Sequence, residues 1–428
     1  MIATNATMSC HTYHTHQEKK WVDLFAVVLV FLLSDSLLFA TSNIYLLNVL
    51  RRILPLFICL VFIFKGRKLN NSVFILSICF FVSMIVNFEV DSFLFYITQI
   101  GYLLLAFYLS ASIESDRFVR FFLFVLRVVC IVSIVCFFFS KQIASLNFIP
   151  TITNSNGRSF KFLLFTNVPI DHNFTNMSRR NWGPFWEPGA FQFYLNIGII
   201  LALFSKNKRW FFDFLLFAVT LLTTLSGAAV LSLPFIVLAF FFSKQKTKKH
   251  ANIIILLLLL SLVIILFSFD NFTEILSKIT NSGSEEGSMD YRLGSLIANF
   301  RASLQYPLFG APPAFQKQLR ANIIGSLNGV FSSGNVSTIS GYFAYFGIPV
   351  GLYICYLIFK STKLVSKTII SRVFLFIAIF VMSSNENFMQ STLMCLIIVG
   401  GMIVDKSKLN LKNFYPEDKC HDVIEKTL

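Results

Sequence analysis

Along 428 residues the dominant pattern is an apolar run followed by a short polar break, repeated about a dozen times, each run being near the roughly 20 residues that one helix needs to cross a bilayer. The first five runs are 21–41, 44–64, 73–88, 93–113 and 118–139. A polar stretch, 140–187, follows, and then come 188–204, 210–225, 228–242 and 251–269. A second polar stretch, 270–338, precedes 339–359, 373–382 with a polar continuation, and 388–404. The pattern predicts an all-α, polytopic bundle of about 12 transmembrane helices, residues 21–404, with two long loops near 140–187 and 270–338. Residues 1–20 and 405–428 are then polar terminal segments.

Composition agrees. A mean hydropathy of +0.71, with 56% hydrophobic and 13% charged residues, excludes an ordinary soluble chain. The 52 phenylalanines suit lipid-facing and interhelical packing. The net charge of +15 is not read as a nucleic-acid footprint, because the lysines cluster in short breaks between apolar runs. With the N-terminus cytoplasmic, the basic breaks 65–68, 114–120, 206–209, 244–249 and 360–372 all fall inside. Glu89 with Asp91, the turn 383–387 and both long stretches then fall outside, and both termini are cytoplasmic. The eight cysteines have no paired or metal-ligand spacing, and His11, His14 and His16 are too irregular to read as a metal site. No cleavable signal peptide is expected, since the first apolar run begins only near Trp21.

Charges within the apolar runs need partners. Asp35 and Arg51 or Arg52 lie at similar depth on either side of the first outer turn, a structural pair in preference to a substrate contact. Arg127 and Asp213 are a second candidate pair, with depths that match less well.

The chemistry gathers in 178–196, SRRNWGPFWEPGAFQFYLN, where Arg179, Arg180 and Glu187 run straight into an apolar helix. Pro188 suits the first turn of that helix, and Glu187 stands at its positive end. The plain alternative is a salt bridge that shapes the loop. In the second stretch, Leu293, Leu296, Ile297, Phe300 and Leu304 recur at helical spacing, predicting an amphipathic surface helix over 291–306. Arg292 and Arg301, nine residues apart, flank its stripe on opposite sides, so that one faces a pocket while the other reaches lipid headgroups. Pro307, Gly310, Pro312 and Pro313 end the helix, and 325–338, rich in Gly, Ser and Asn, reads as a mobile flap or polar lining. Such arginines suit a lipid-linked sugar diphosphate, whose leaving group they hold by bidentate hydrogen bonds with no metal and no cofactor. An acceptor hydroxyl still benefits from a general base, for which Glu187, Asp171, His172 and Glu386 are the outer-face candidates.

The succession RNWGPFWEPG, 180–189, resembles the Arg, Gly, aromatic, Glu-Pro signature of bacterial O-antigen polymerases and O-antigen ligases. YPLFGAP after the Arg292 helix, and Asn335 followed by GYFAYFGIPVG, are similar to that family's arginine helix, closing turn and late loop. The resemblance implies an inner-membrane glycosyltransferase of the multispanning C-type fold, acting in lipopolysaccharide biosynthesis on undecaprenyl-diphosphate-linked oligosaccharides at the periplasmic face. On its terms Arg180 and Arg292 bind the diphosphate, with Glu187 a third site residue, and Arg179, Arg301, His172, Asn335 and Glu386 are substrate-binding candidates. Membrane lipids and a chain-length regulator protein are the expected partners, with no nucleic acid. Ligases of this group carry a histidine in the late outer loop, and this chain has none between Asp270 and Gly351, which favours polymerase over ligase. A flippase for the same lipid-linked unit is the alternative from another class; it calls for charges lining a central cavity.

Overall fold

The computed structural model describes residues 20–33, 36–40, 43–64, 70–154, 157–170, 180–205, 208–243, 288–326, 335–384 and 386–404. The run 251–269, the flap region 327–334, Asp35, Asp171, His172 and Arg179 lie outside the described residues, as do both terminal segments.

Helices form where the apolar runs lie. They are α1 (20–33), α2 (Leu37–Ala40), α3 (Tyr45–Phe64), α4 (Asn71–Val86), α5 (Val90–Ser112) and α6 (Ser115–Phe138), then the short α7 (Ser140–Ser145). Next come α8 (Pro188–Phe204), α9 (Trp210–Thr223) and α10 (Gly227–Ser243), and in the second polar stretch α11 (Ser288–Gln305) and α12 (Pro313–Ser326). The last four are α13 (Thr338–Phe346), α14 (Ile348–Ser361), α15 (Ile369–Ser383) and α16 (Thr392–Ile403). Asn70 caps α4 by accepting from the Ser72 amide, and Pro188 occupies the first turn of α8, where no amide is missed.

Among the described residues, Ser92–Ser112 and Ser115–Phe138 are by length and composition able to cross a membrane, and six further apolar helices are shorter. The expected dozen spans are therefore met only in part. Two of the runs are split. The run 21–41 divides into α1 and α2, with Ser36 pairing as a single antiparallel bridge to Phe185. The run 339–359 divides into α13 and α14 at Gly347, which has φ 86°. That break receives the turn after α11: Ile348 N–H donates to the Pro307 carbonyl at 2.8 Å, Ala311 N–H to Ala344, and Asn87 Nδ2 to the Phe309 carbonyl at 3.0 Å. Gly310 (φ 79°) and Gly347 allow this contact, since a Cβ on either would strike the opposite backbone.

The chain is mostly helical, consistent with the all-α expectation, and the first polar stretch adds one small three-stranded antiparallel sheet of β1 (Thr151–Thr153), β2 (Ser159–Leu163) and β3 (Thr166–Pro169). Strands β2 and β3 pair Leu163 with Thr166, leaving a two-residue turn in which Leu164 and Phe165 both have positive φ, the twist that suits a tight hairpin. The sheet packs Ile152 and Phe160 against Trp182 and Leu37.

The core centres on α8. It is apolar all round, and nearly every side chain on it is buried by α6, α9, α10 and α15, as that composition demands. Its polar residues bond within the bundle, Gln192 Nε2 donating to the Met382 carbonyl at 2.9 Å and Asn196 Nδ2 to Gln192 Oε1, while Asn196 Oδ1 has no partner among the described residues. The Arg127–Asp213 pair is present at 2.6 Å, and a second pair, Arg117–Asp23 at 2.7 Å, ties α6 to α1.

Candidate functional site

The segment 180–187 is held from three sides before it enters α8. Arg180 Nε donates to the Thr224 carbonyl at 3.0 Å, where the end of α9 leaves acceptors exposed. Asn181 follows suit, its amide on the Thr223 carbonyl and its side chain on Thr223 Oγ1 and Ser133 Oγ. From the sheet, Asn167 donates to the Gly183 and Phe185 carbonyls, and from the α2 side Leu37 N–H donates to Pro184. Glu187 is then the N-cap of α8 in extended conformation, its carbonyl accepting from Ala190 and Phe191 while its side chain caps nothing. Glu187 is half-buried at this positive helix end.

Arg292 is delivered by α11, whose protein-facing side is made of small and polar residues while the apolar stripe expected at the membrane surface is left largely outside the protein. Ser295, Ala298, Asn299, Ala302 and Ser303 are buried, whereas Phe300 and Leu304 are exposed. Asn299 Nδ2 donates to Asn335 Oδ1 at 2.8 Å and to Ser340 Oγ at 2.9 Å, and Arg320 of α12 donates to Asn299 Oδ1. Small polar side chains let α11 approach α13 closely, so the larger ones turn away. Arg292 is one and two turns before Ser295 and Asn299 on that same inward face, half-buried, while Arg301 is exposed on the opposite one.

The third contributor is the turn between α15 and α16. Thr338 Oγ1 donates to the Glu386 carbonyl at 2.7 Å and accepts from Phe388 N–H at 2.7 Å, fixing this turn against the start of α13. Glu386 is 2% exposed, and its side chain lies so close over the first turn of α8 that a Cβ on Gly189 would overlap Glu386 Oε1. There it feels the charges of Glu187, Arg292 and Arg180. Burial, then the Glu187 charge, push the Glu386 carboxyl well above the usual carboxylate range, and the two arginines pull the other way without reversing it.

Of the residues singled out in the sequence, Arg180, Glu187, Arg292 and Glu386 come together, Asn335 holds the backbone behind them, and Arg301 stands apart. Thr338, Asn299 and the Thr224 carbonyl had no signal beyond their polarity in apolar surroundings. A small cavity adjoins Arg180, between the end of α6 and β3, and its walls include Thr166, Asn167 and Trp182, each with a buried polar atom outside any hydrogen bond among the described residues. Among the described residues no three His, Cys, Asp or Glu side chains stand close enough to hold a metal ion.

Residues 212–343 match the family model described as O-antigen ligase, which supports the kinship with O-antigen polymerases and ligases. No curated protein and no solved structure gives a match.

Proposed function

We propose that this chain, whose residues 212–343 carry the O-antigen ligase pattern, is an O-antigen polymerase of the inner membrane. It joins undecaprenyl-diphosphate-linked oligosaccharide repeat units at the periplasmic face as a metal-independent glycosyltransferase of C-type fold, with about 12 spans and both termini cytoplasmic. Arg180 and Arg292 hold the diphosphate of the donor. Glu187 takes the proton of the acceptor hydroxyl as its oxygen bonds to the anomeric carbon, and the bond from that carbon to the diphosphate oxygen breaks with its electron pair leaving on the diphosphate. The observation that carries this reading is the meeting of Arg180, Arg292, Glu187 and Glu386, from three segments far apart in sequence, at one helix N-terminus. The family description names the ligase, whose acceptor is the lipid A core in place of a second lipid-linked unit; the absence of any histidine between Asp270 and Gly351 favours the polymerase.

Arg180→Ala and Arg292→Ala are each expected to abolish polymer while the protein stays in the membrane at normal abundance. Lysine at either position restores less than about a tenth of it, because a point charge does not reproduce the bidentate fork. Full-length polymer in both alanine variants ends the proposal.

A further inference from the structure

In the turn between β2 and β3, Leu164 and Phe165 have φ 47° and 65°, a left-handed region that large side chains enter at a steric cost and that Asn-Gly occupies freely. Both side chains are nevertheless exposed, Leu164 at 69% and Phe165 at 50%. A hairpin in water gains nothing by accepting strain in order to hold two large apolar groups outward, so whatever offsets the cost lies outside the protein.

What covers the tip follows from where it stands. Leu163, the residue before it, packs on a cluster of Cys136 from α6, Ile143 from α7, Ile149 and Val168, which sets the tip beside the C-terminal end of α6. That helix is long and apolar enough to cross a membrane, and only 33% of its span is buried by the rest of the protein. Its exposed side chains Phe124, Val128, Ile131, Val135 and Phe138 recur at alternating steps of four and three, one continuous stripe along the helix. On a spanning helix such a stripe faces lipid. Phe138 and Phe139 stand exposed at its end, and Phe148, 81% exposed, immediately precedes Ile149 of the cluster on which Leu163 packs. Lys141, exposed in the first turn of α7, adds a cation for lipid phosphates. We propose that the β2–β3 tip, Leu164 and Phe165 together with Phe148, is a lipid anchor that dips into the leaflet at the C-terminal end of α6. The anchor sets the height of the site. From β3, Asn167 donates to the Gly183 and Phe185 carbonyls, so a sheet seated in the lipid surface holds the segment 180–187 at a fixed level above it. The anchor itself rests on α6 crossing the bilayer, and its benefit to Arg180 rests on the diphosphate-binding reading above.

The test reconstitutes the full-length Phe165→Trp protein in phosphatidylcholine vesicles and reads its fluorescence as the difference from wild type, whose four tryptophans also emit. The added emission is expected to be blue-shifted and to be quenched more by acyl chains brominated near the headgroup than near the methyl end. Val128→Trp, midway along α6, is the control and is expected to be quenched most by the deep bromines. If Val128→Trp is quenched in this way and Phe165→Trp by neither lipid, the anchor is overturned while the span stands; if neither variant is quenched, the spanning reading of α6 falls and the anchor with it. Blue-shifted emission of Phe165→Trp without quenching means that a second copy of the chain covers the tip, which also overturns the proposal. Quenching is read without polymer, so failure of the polymerase reading leaves this arm decisive. Leu164→Asn combined with Phe165→Gly supplies the pair that the turn accepts without strain, so thermal unfolding in detergent is expected at or above the wild-type temperature. Polymer is expected to fall about tenfold at normal abundance, because the segment that bears Arg180 loses its fixed height. A tip that serves only the folding of the hairpin predicts the reverse, and full polymer from this double variant overturns the positioning role. Should the double variant not reach the membrane, the quenching of Phe165→Trp decides alone.

Discussion

Asp213 is wholly buried on α9, 2.6 Å from Arg127 of α6, and this contact shows how charge is tolerated inside an apolar bundle. Neither ion is stable there alone, so the pair registers α6 against α9, and α9 in turn presents the Thr224 carbonyl to Arg180. Asp213→Ala is expected to destabilise the protein by about 3 kcal/mol, less than the full cost of an isolated buried ion because Arg127 retains some exposure. The check is thermal unfolding in detergent. Arg127→Met combined with Asp213→Leu is expected to recover most of that loss, since an apolar pair of similar volume has no desolvation to offset.

At the scale of elements, two glycines separate packing from chemistry. At Gly310, with φ 79°, a Cβ meets the Tyr345 and Phe346 backbone, which has no room to yield; at Gly189 it meets the end of the Glu386 side chain. Gly310→Ala is expected to cost more than about 2 kcal/mol and to deplete folded protein. Gly189→Ala is expected to leave abundance near normal and to cut polymer about tenfold, because the Glu386 carboxyl is displaced from the start of α8. Immunoblots of membranes beside polymer gels distinguish the two. The elements themselves were legible to different degrees. α8 begins and ends where the Pro188 signal and the following apolar run predict, and α3 to α6, α9 and α10 lie within a few residues of their runs. The sheet was not legible, because the β2–β3 turn is built on Leu164 and Phe165 in place of the usual Asn-Gly, and strands of three to five residues carry little periodicity. Apolar periodicity placed the stripe of α11, and its exposed Phe300 and Leu304 are compatible with a surface helix, but the polar face that docks on α13 through Asn299 carried no sequence signal. The break at Gly347 was hidden inside an apolar run long enough for one helix.

At the scale of the molecule, the site is an intersection. Arg180 and Glu187 arrive on a segment clamped between sheet and α9, Arg292 on a helix docked to α13, and Glu386 on a turn tied to the same helix by Thr338. Arg180 and Arg292 each stood out in the sequence, but their meeting depends on Glu386, more than 90 residues beyond Arg292, and only the fold brings that carboxyl to α8. This arrangement bears on which acceptor the protein serves. On the proposed polymerase reading, a cation pair with a carboxylate base needs no histidine, and donor and acceptor are both lipid-linked. A strain lacking the protein is therefore expected to make lipopolysaccharide whose core bears a single repeat unit, because ligation proceeds without polymerisation. Gel banding of that lipopolysaccharide is the check. Core bearing no repeat unit at all identifies the ligase instead, and a strain expressing Glu187→Gln at normal abundance is expected to show the same single-unit band as the deletion, since the transfer fails without its base whatever the state of the scaffold.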